Sequence, residues 1–157
     1  MSYLDNHPLL ASQDLSELRD LLAERNGIQK IDTVGKRSQI DVKASGVEVD
    51  GLHLGNFQYA GAPTTFHTCE GMDILQLIVT SAGTWQTEYG RETFVINSSV
   101  GFMRDWRMEH VSSVDRAEAL GLSIPVDRIK DHARILIGEA ADFISPTFDI
   151  NFDMTTP

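Results

Sequence analysis

Leucines at 15, 18 and 22 recur at helical spacing, and Leu21 widens their stripe. Asp14 stands where an N-cap is needed, and Glu17 three residues on is placed to complete a capping box. Gly27 after Arg25 and Asn26 supplies a natural C-cap. The pattern predicts one amphipathic helix over 14–27. From about Ile31 to Ile124 the period changes to that of strands. Ile40, Val42 and Ala44 alternate with polar neighbours, as do Val47 and Val49. Leu52 to Tyr59 reads as a strand ended by the turn-forming run Ala60-Gly61-Ala62-Pro63. Ile74 to Val79 is the most apolar stretch, interrupted only by Gln76, as expected of a central strand buried on both faces. Trp85 to Glu88 and Thr93 to Ile96 flank Tyr89-Gly90-Arg91, a hairpin with glycine at its bend. Phe102 to Met108 and Ala119 to Ile124 complete the set. Many short strands at this spacing predict a sandwich or barrel.

Pro125 opens a second helix at the position where proline costs least. Ile129, Ala133 and Ile137, with Leu136, form its apolar face, and Gly138 ends it. Beyond Ser145-Pro146, Phe148, Ile150 and Phe152 alternate only weakly with polar residues. Residues 139–157 are therefore expected to begin a linker, and the two acids Asp149 and Asp153 to lie in a solvated tail. The organisation predicted is one domain over 1–157: a helix at 14–27, a β-barrel at 31–124, a helix at 125–138 and the linker.

At 157 residues, 41% of them apolar, the chain suffices for a single hydrophobic core. No apolar run reaches the ~20 residues of a membrane span, and the N-terminus lacks the features of a secretory signal. Cys69 is the one cysteine, so no internal disulfide can form. A cytoplasmic location without membrane association is the expectation. The formal net charge of −10 opposes phosphate backbones, and neither Lys36-Arg37 nor Arg104 to Arg107 builds a basic stripe. The chain is not expected to hold DNA by itself.

The order of these elements resembles the N-terminal regulatory domain of AraC-type transcription factors over roughly His7 to Ile137. The similar features are the Asp-Leu-x-Glu-Leu start at Asp14 to Leu18, the Tyr59-Ala60-Gly61-Ala62-Pro63 turn and Ile74-Leu75-Gln76-Leu77. Gly83, Gly90-Arg91-Glu92, Gly101 and Ser123-Ile124-Pro125 with Ile129 follow in matching order. The sequence departs from the family at Arg104-Asp105-Trp106, where relatives place a Pro-Gly turn. The resemblance implies a mainly β, cupin-like (jelly-roll) barrel with flanking helices that binds a small-molecule effector and contributes to a homodimer. It also implies control of transcription through a helix-turn-helix DNA-binding domain beyond Pro157, in a bacterial regulator that is not an enzyme and needs no cofactor.

Cupin-shaped barrels also include metal-dependent oxygenases and isomerases, the chief alternative; a ligand-free partner-binding module is another. A mononuclear metal site needs three or four convergent ligands. Here His67-Thr68-Cys69-Glu70, with His110 much later, lacks the second histidine of the usual His-x-His pair. Cys69 then reads as a small core residue and His67 as a polar wall residue. No Gly-x-Ser-x-Gly elbow, His-Glu-x-x-His helix or phosphate-cradling loop is present. Paired carboxylates such as Asp115 and Glu118 do acid–base work only if buried together.

The remaining chemistry is binding in a concave apolar pocket with a few polar groups. The resemblance points to Phe66 and Thr68 after the turn, and to Trp106, His110, Glu118 and Leu120 from the late strands. Tyr59 and Gln76 join them because a polar group in an apolar strand needs a partner. The plain alternatives are core packing for Phe66 and Trp106, a backbone hydrogen bond for Gln76, a solvated strand position for Glu118 and a satisfied wall histidine for His110.

Overall fold

A computed structural model describes residues 4–26, 28–33, 39–68, 73–105, 107, 109–143 and 148–155. In chain order these form β1 (Pro8–Ser12), α1 (Leu15–Asn26), β2 (Ile28–Thr33), β3 (Ile40–Val49), β4 (Leu52–Thr68) and β5 (Ile74–Gly83). Then follow β6 (Trp85–Tyr89), β7 (Glu92–Ile96), β8 (Val100–Arg104), β9 (Val111–Pro125), α2 (Val126–Ile137), a short 3-10 helix (Gly138–Phe143) and β10 (Asn151–Asp153). Every strand pairing is antiparallel.

Two long strands organise the molecule. β4 and β9 pair from His53↔Ser123 to Ala60↔Arg116, shift register, and pair again from Thr64↔Val114 to His67↔Val111. Their first stretch belongs to a sheet ordered β1-β3-β4-β9-β5-β8-β10. Their second stretch is flanked by β2 on one side and the β6–β7 hairpin on the other. The two layers thus share two strands and fold onto each other, a cupin-like barrel with flanking helices.

The run Ala60-Gly61-Ala62-Pro63 was expected to end a strand; instead it bends one. Gly61 takes φ +146°, and a Cβ there would lie 2.4 Å from the Gln39 carbonyl oxygen. The Ala62 N–H donates to that same oxygen at 3.0 Å. Below the bend, the Tyr59 hydroxyl donates to the Ala62 carbonyl at 2.7 Å and bonds Thr64 Oγ1, while Thr64 also reaches the Ala62 carbonyl at 3.0 Å. Hydrogen bonding by buried hydroxyls therefore holds the corner through which one strand enters both layers.

α1 starts as predicted, with Asp14 Oδ1 accepting from the Ser16 N–H at 2.7 Å. The expected reciprocal bond from Glu17 is relayed instead: the Asp14 N–H donates to Ser12 Oγ at 2.9 Å, and that hydroxyl bonds Glu17. Gly27, the expected C-cap, lies outside the described residues. Leu18 and Leu22 pack with Ile40, Val42, Tyr59, Phe66 and Val114 in the main core. The Tyr89–Glu92 hairpin forms as expected, with Gly90 at φ +63°. A second tight hairpin joins β3 and β4 through Asp50 and Gly51, both at positive φ.

Two expectations for the C-terminal region change. Pro125 is the N-cap of α2, and of the helix's apolar residues only Val126 is buried; Ile135 and Leu136 are 79% and 70% exposed. Within the presumed linker, β10 pairs with β8 from Asn151↔Phe102 to Asp153↔Val100, and the Phe152 ring lies over Gly101, where a Cβ would come within 2.2 Å of it. A side chain stacked on a glycine of the neighbouring strand outweighs the weak local alternation. Gly61→Ala is expected to cost roughly 2–4 kcal/mol of unfolding free energy, against about 1–2 for Gly90→Ala, where only φ is strained and nothing stands near the Cβ. Urea denaturation of the two variants checks this ordering.

Candidate ligand cavity

Strand alternation turns one residue in two toward the space between the layers. Across the first layer, pairing aligns these inward positions in rows. Arg104 of β8 lies opposite Gln76 of β5, which lies opposite Ser123 of β9, which lies opposite His53 of β4. The next row runs Phe102, Ile78, Gly121, Gly55 and Gly46, and the one after it places Thr80, Ala119, Phe57 and Ala44 side by side. Three glycines on adjacent strands leave a trough. The His53 ring leans over Gly46 and Gly55, whereas a Cβ on Gly121 would meet nothing nearer than 3.8 Å.

The opposite layer contributes aromatic surface. Phe66 and Trp85 stack with centroids 5.7 Å apart, and Phe57 contacts both, at 6.4 and 5.8 Å. Between the layers lies a cavity of about 110 Å³. That is several times the ~10–15 Å³ that one water needs. Its walls include the polar row, Gly55 and Gly121 of the trough, the aromatic trio, Thr68, His110 and Ser112, with Leu21 and Leu22 of α1 at one side.

His110 is fixed by one hydroxyl. Thr68 Oγ1 donates to the His110 carbonyl at 3.0 Å and accepts the His110 backbone N–H at 3.2 Å. With its one proton so used, it accepts from Nδ1 at 2.9 Å, which assigns the proton to Nδ1 and leaves Nε2 as the acceptor. The Phe102 ring lies 5.5 Å away. Burial, with the Arg104 charge adding to it, lowers the His110 pKa to about 3. Arg104 itself is only 1% exposed. Gln76 Nε2 reaches Ser123 Oγ at 3.4 Å. Trp85 Nε1 is a buried donor with no hydrogen-bond partner among the described residues.

The cavity gathers Phe66, Thr68, Gln76 and His110 of the eight expected contacts. Tyr59 is in the core with its hydroxyl engaged at the bend, where burial raises its pKa. Glu118 and Leu120 alternate with inward Ala117, Ala119 and Gly121, so they stand on the outer face; Glu118 accepts from Gln58 Nε2 there at 3.3 Å. Trp106 lies outside the described residues, as do Cys69, Glu70, Lys36 and Arg37. Of the possible metal ligands, His67 alternates with inward Phe66 and Thr68 and bonds Asp32 at 3.1 Å on the outside, so it does not converge with His110. Among the described residues no three His, Cys, Asp or Glu side chains are grouped to hold a metal ion.

Sequence reading missed Arg104, Trp85, Ser112 and Ser123. For Arg104 a signal existed: it shares the parity of Phe102 in a short strand. The turn after it is closed by Asp105, which accepts from the Arg107 backbone N–H at 2.8 Å and from its guanidinium.

Folded His110 resists protonation down to about pH 3, while the unfolded chain takes that proton near 6.5. Its stabilising contribution is full above pH 6.5 and is lost as pH falls toward 3, at up to about 1.4 kcal/mol per pH unit. Carboxylates begin to take up protons toward pH 4.5 with a slope of the same sign, so the difference between the native chain and a His110→Gln variant isolates this effect. Urea unfolding between pH 6.5 and 4.5 is expected to show the slope in the native chain and a flatter profile in His110→Gln.

No protein-family model matches the chain, and no curated protein matches its sequence. Among solved structures it is similar to the AraC-like transcriptional activator CuxR, with TM-score 0.63 and 15% identity, over 85% of this chain and 56% of that one. The chain thus spans little more than half the length of that protein. The EutQ protein of Clostridium difficile aligns at TM-score 0.47 and 13% identity, over 78% of this chain and 99% of its own. A cupin-like protein of Thermotoga maritima aligns at 0.45 and 13%, over 61% and 84%. Among the described residues no helix is long and apolar enough to cross a membrane. What the chain shares with the AraC-like activator, at such identity, is its fold.

Proposed function

We propose that this chain is the effector-sensing part of a transcription regulator of AraC type, binding a small molecule between its two layers without transforming it. The observation that carries the reading is the cavity itself: aromatic on one wall, polar in one row on the other, and roomy where Gly121 lacks a side chain. The fold shared with an AraC-like transcriptional activator supports it. In this reading the DNA contacts belong to a helix-turn-helix part outside these 157 residues, in keeping with a net charge of −10. An effector controls such a part only by binding one arrangement of the protein more tightly than another. The exposed aliphatic face of α2, including Ile135 and Leu136, is the surface through which two copies would associate.

Thermal denaturation with a panel of small metabolites tests the sensing claim. A true effector at 100 times its Kd adds about 2.7 kcal/mol. Gly121→Leu puts a side chain into the trough at a position of ordinary φ; it is expected to fold and to lose the ligand-induced shift. Equal shifts in both proteins, or none from any compound, contradict the reading. Stoichiometric iron, zinc or manganese after purification without chelators supports the enzyme alternative. For the second claim, sedimentation equilibrium is expected to show a dimer that Leu136→Glu weakens by tenfold or more, about 1.4 kcal/mol.

A further inference from the structure

Resting on the cavity reading above, we infer that the ligand is an uncharged, largely apolar molecule whose hydroxyl or N–H donates a hydrogen bond to His110 Nε2. The Thr68 hydroxyl prepares that contact. Its one proton goes to the His110 carbonyl at 3.0 Å, so it accepts from the His110 backbone N–H at 3.2 Å and from Nδ1–H at 2.9 Å. Nδ1 thus holds the single proton of the neutral ring, and Nε2 carries a lone pair. That lone pair has no hydrogen-bond partner among the described residues, and it is not shut into the protein as the unpartnered Trp85 Nε1 and Thr80 Oγ1 are. Because the ring stands in the cavity wall, Nε2 opens onto the cavity. An acceptor in a mostly apolar wall costs free energy that a donor on the ligand recovers.

The surroundings select among donors. Burial, with the Arg104 charge adding to it, keeps the ring neutral. A carboxylate brings only acceptors to a lone pair, and an ammonium group meets the positive charge that is felt at His110. An alcohol, a phenol or an amide suffers neither repulsion. The shape agrees with the chemistry. Thr68, which holds the ring, is two residues along β4 from Phe66, about 7 Å at strand rise. A flat body packed on Phe57, Phe66 and Trp85 therefore brings a hydroxyl at its edge within reach of Nε2, and Gly121 leaves room across from it.

The test compares three probes on the native chain by calorimetry: 4-propylphenol, 4-propylanisole and 1-fluoro-4-propylbenzene, which share one body and differ in the donor. The phenol is expected to bind about tenfold more tightly than the other two, without proton uptake near pH 7. In nitrogen-15 spectra of histidine-labelled protein, the phenol is expected to move the Nε2 signal toward that of a protonated nitrogen, and the fluoro compound to leave it in place. His110→Phe is expected to erase the preference while the fluoro compound still binds. The affinities and spectra of the native chain decide the matter even if His110→Phe does not fold. Equal affinity for the three probes, proton uptake on binding, an unmoved Nε2 signal, or a preference that survives in His110→Phe overturns the assignment and leaves the cavity reading intact. Failure of all three to bind overturns it as well, and the wider metabolite panel then decides the cavity reading separately.

Discussion

The antiparallel pairing of β4 with β9, carried through a bend, is the constraint on which the rest of this molecule depends. Strands of 17 and 15 residues are too long to lie in one flat layer, and the corner at Gly61 sends them from one sheet into the other. Everything functional follows from where that corner falls. Residues before it contribute Gly55 and Phe57 to one wall, and residues after it contribute Phe66 and Thr68 to the facing wall. The hydroxyls of Tyr59 and Thr64 hold the corner, so Tyr59, though polar and buried, is committed to the fold.

The second consequence is the division of the interior. One part is a packed core, where α1 inserts Leu18 and Leu22 among Ile40, Val42 and Tyr59. The other is hollow, because small residues come into line across neighbouring strands. Packing density in a protein interior is ordinarily high, and a space of this size persists only where the walls are rigid or something fills it. A buried neutral histidine and a buried tryptophan N–H without a partner among the described residues stand in those walls.

Local pattern revealed what local forces decide. The Asp14 cap with Leu18 and Leu22, the Tyr89–Glu92 hairpin and the inward Gln76 were legible because each needs only its sequence neighbours. The long strands were not, since Ala60-Gly61-Ala62-Pro63 carries the same residues whether it stops a strand or bends it, and only the bond from Ala62 to the Gln39 carbonyl decides. The outward positions of Glu118 and Leu120 depend on the parity of a strand whose start at Val111 carries no local mark. Ser112 and Ser123 are too small to signal burial, and the glycine trough exists only in the pairing register. Arg104 is the instructive case: it was weighed only as part of a basic stripe, while its parity with Phe102 pointed inward.

The central claim, that a small molecule occupies the space between the layers, is tested most directly by locating where binding is felt. Nuclear magnetic resonance spectra of the chain labelled at isoleucine methyl groups and indole nitrogens would follow Ile78 and Trp85 in the cavity and Ile135 and Ile137 on α2. The account predicts saturable shifts at Ile78 and Trp85 Nε1 upon addition of a bound metabolite, with the α2 signals unmoved at constant protein association. Saturable shifts on α2 alone, with Ile78 and Trp85 undisturbed, would contradict it.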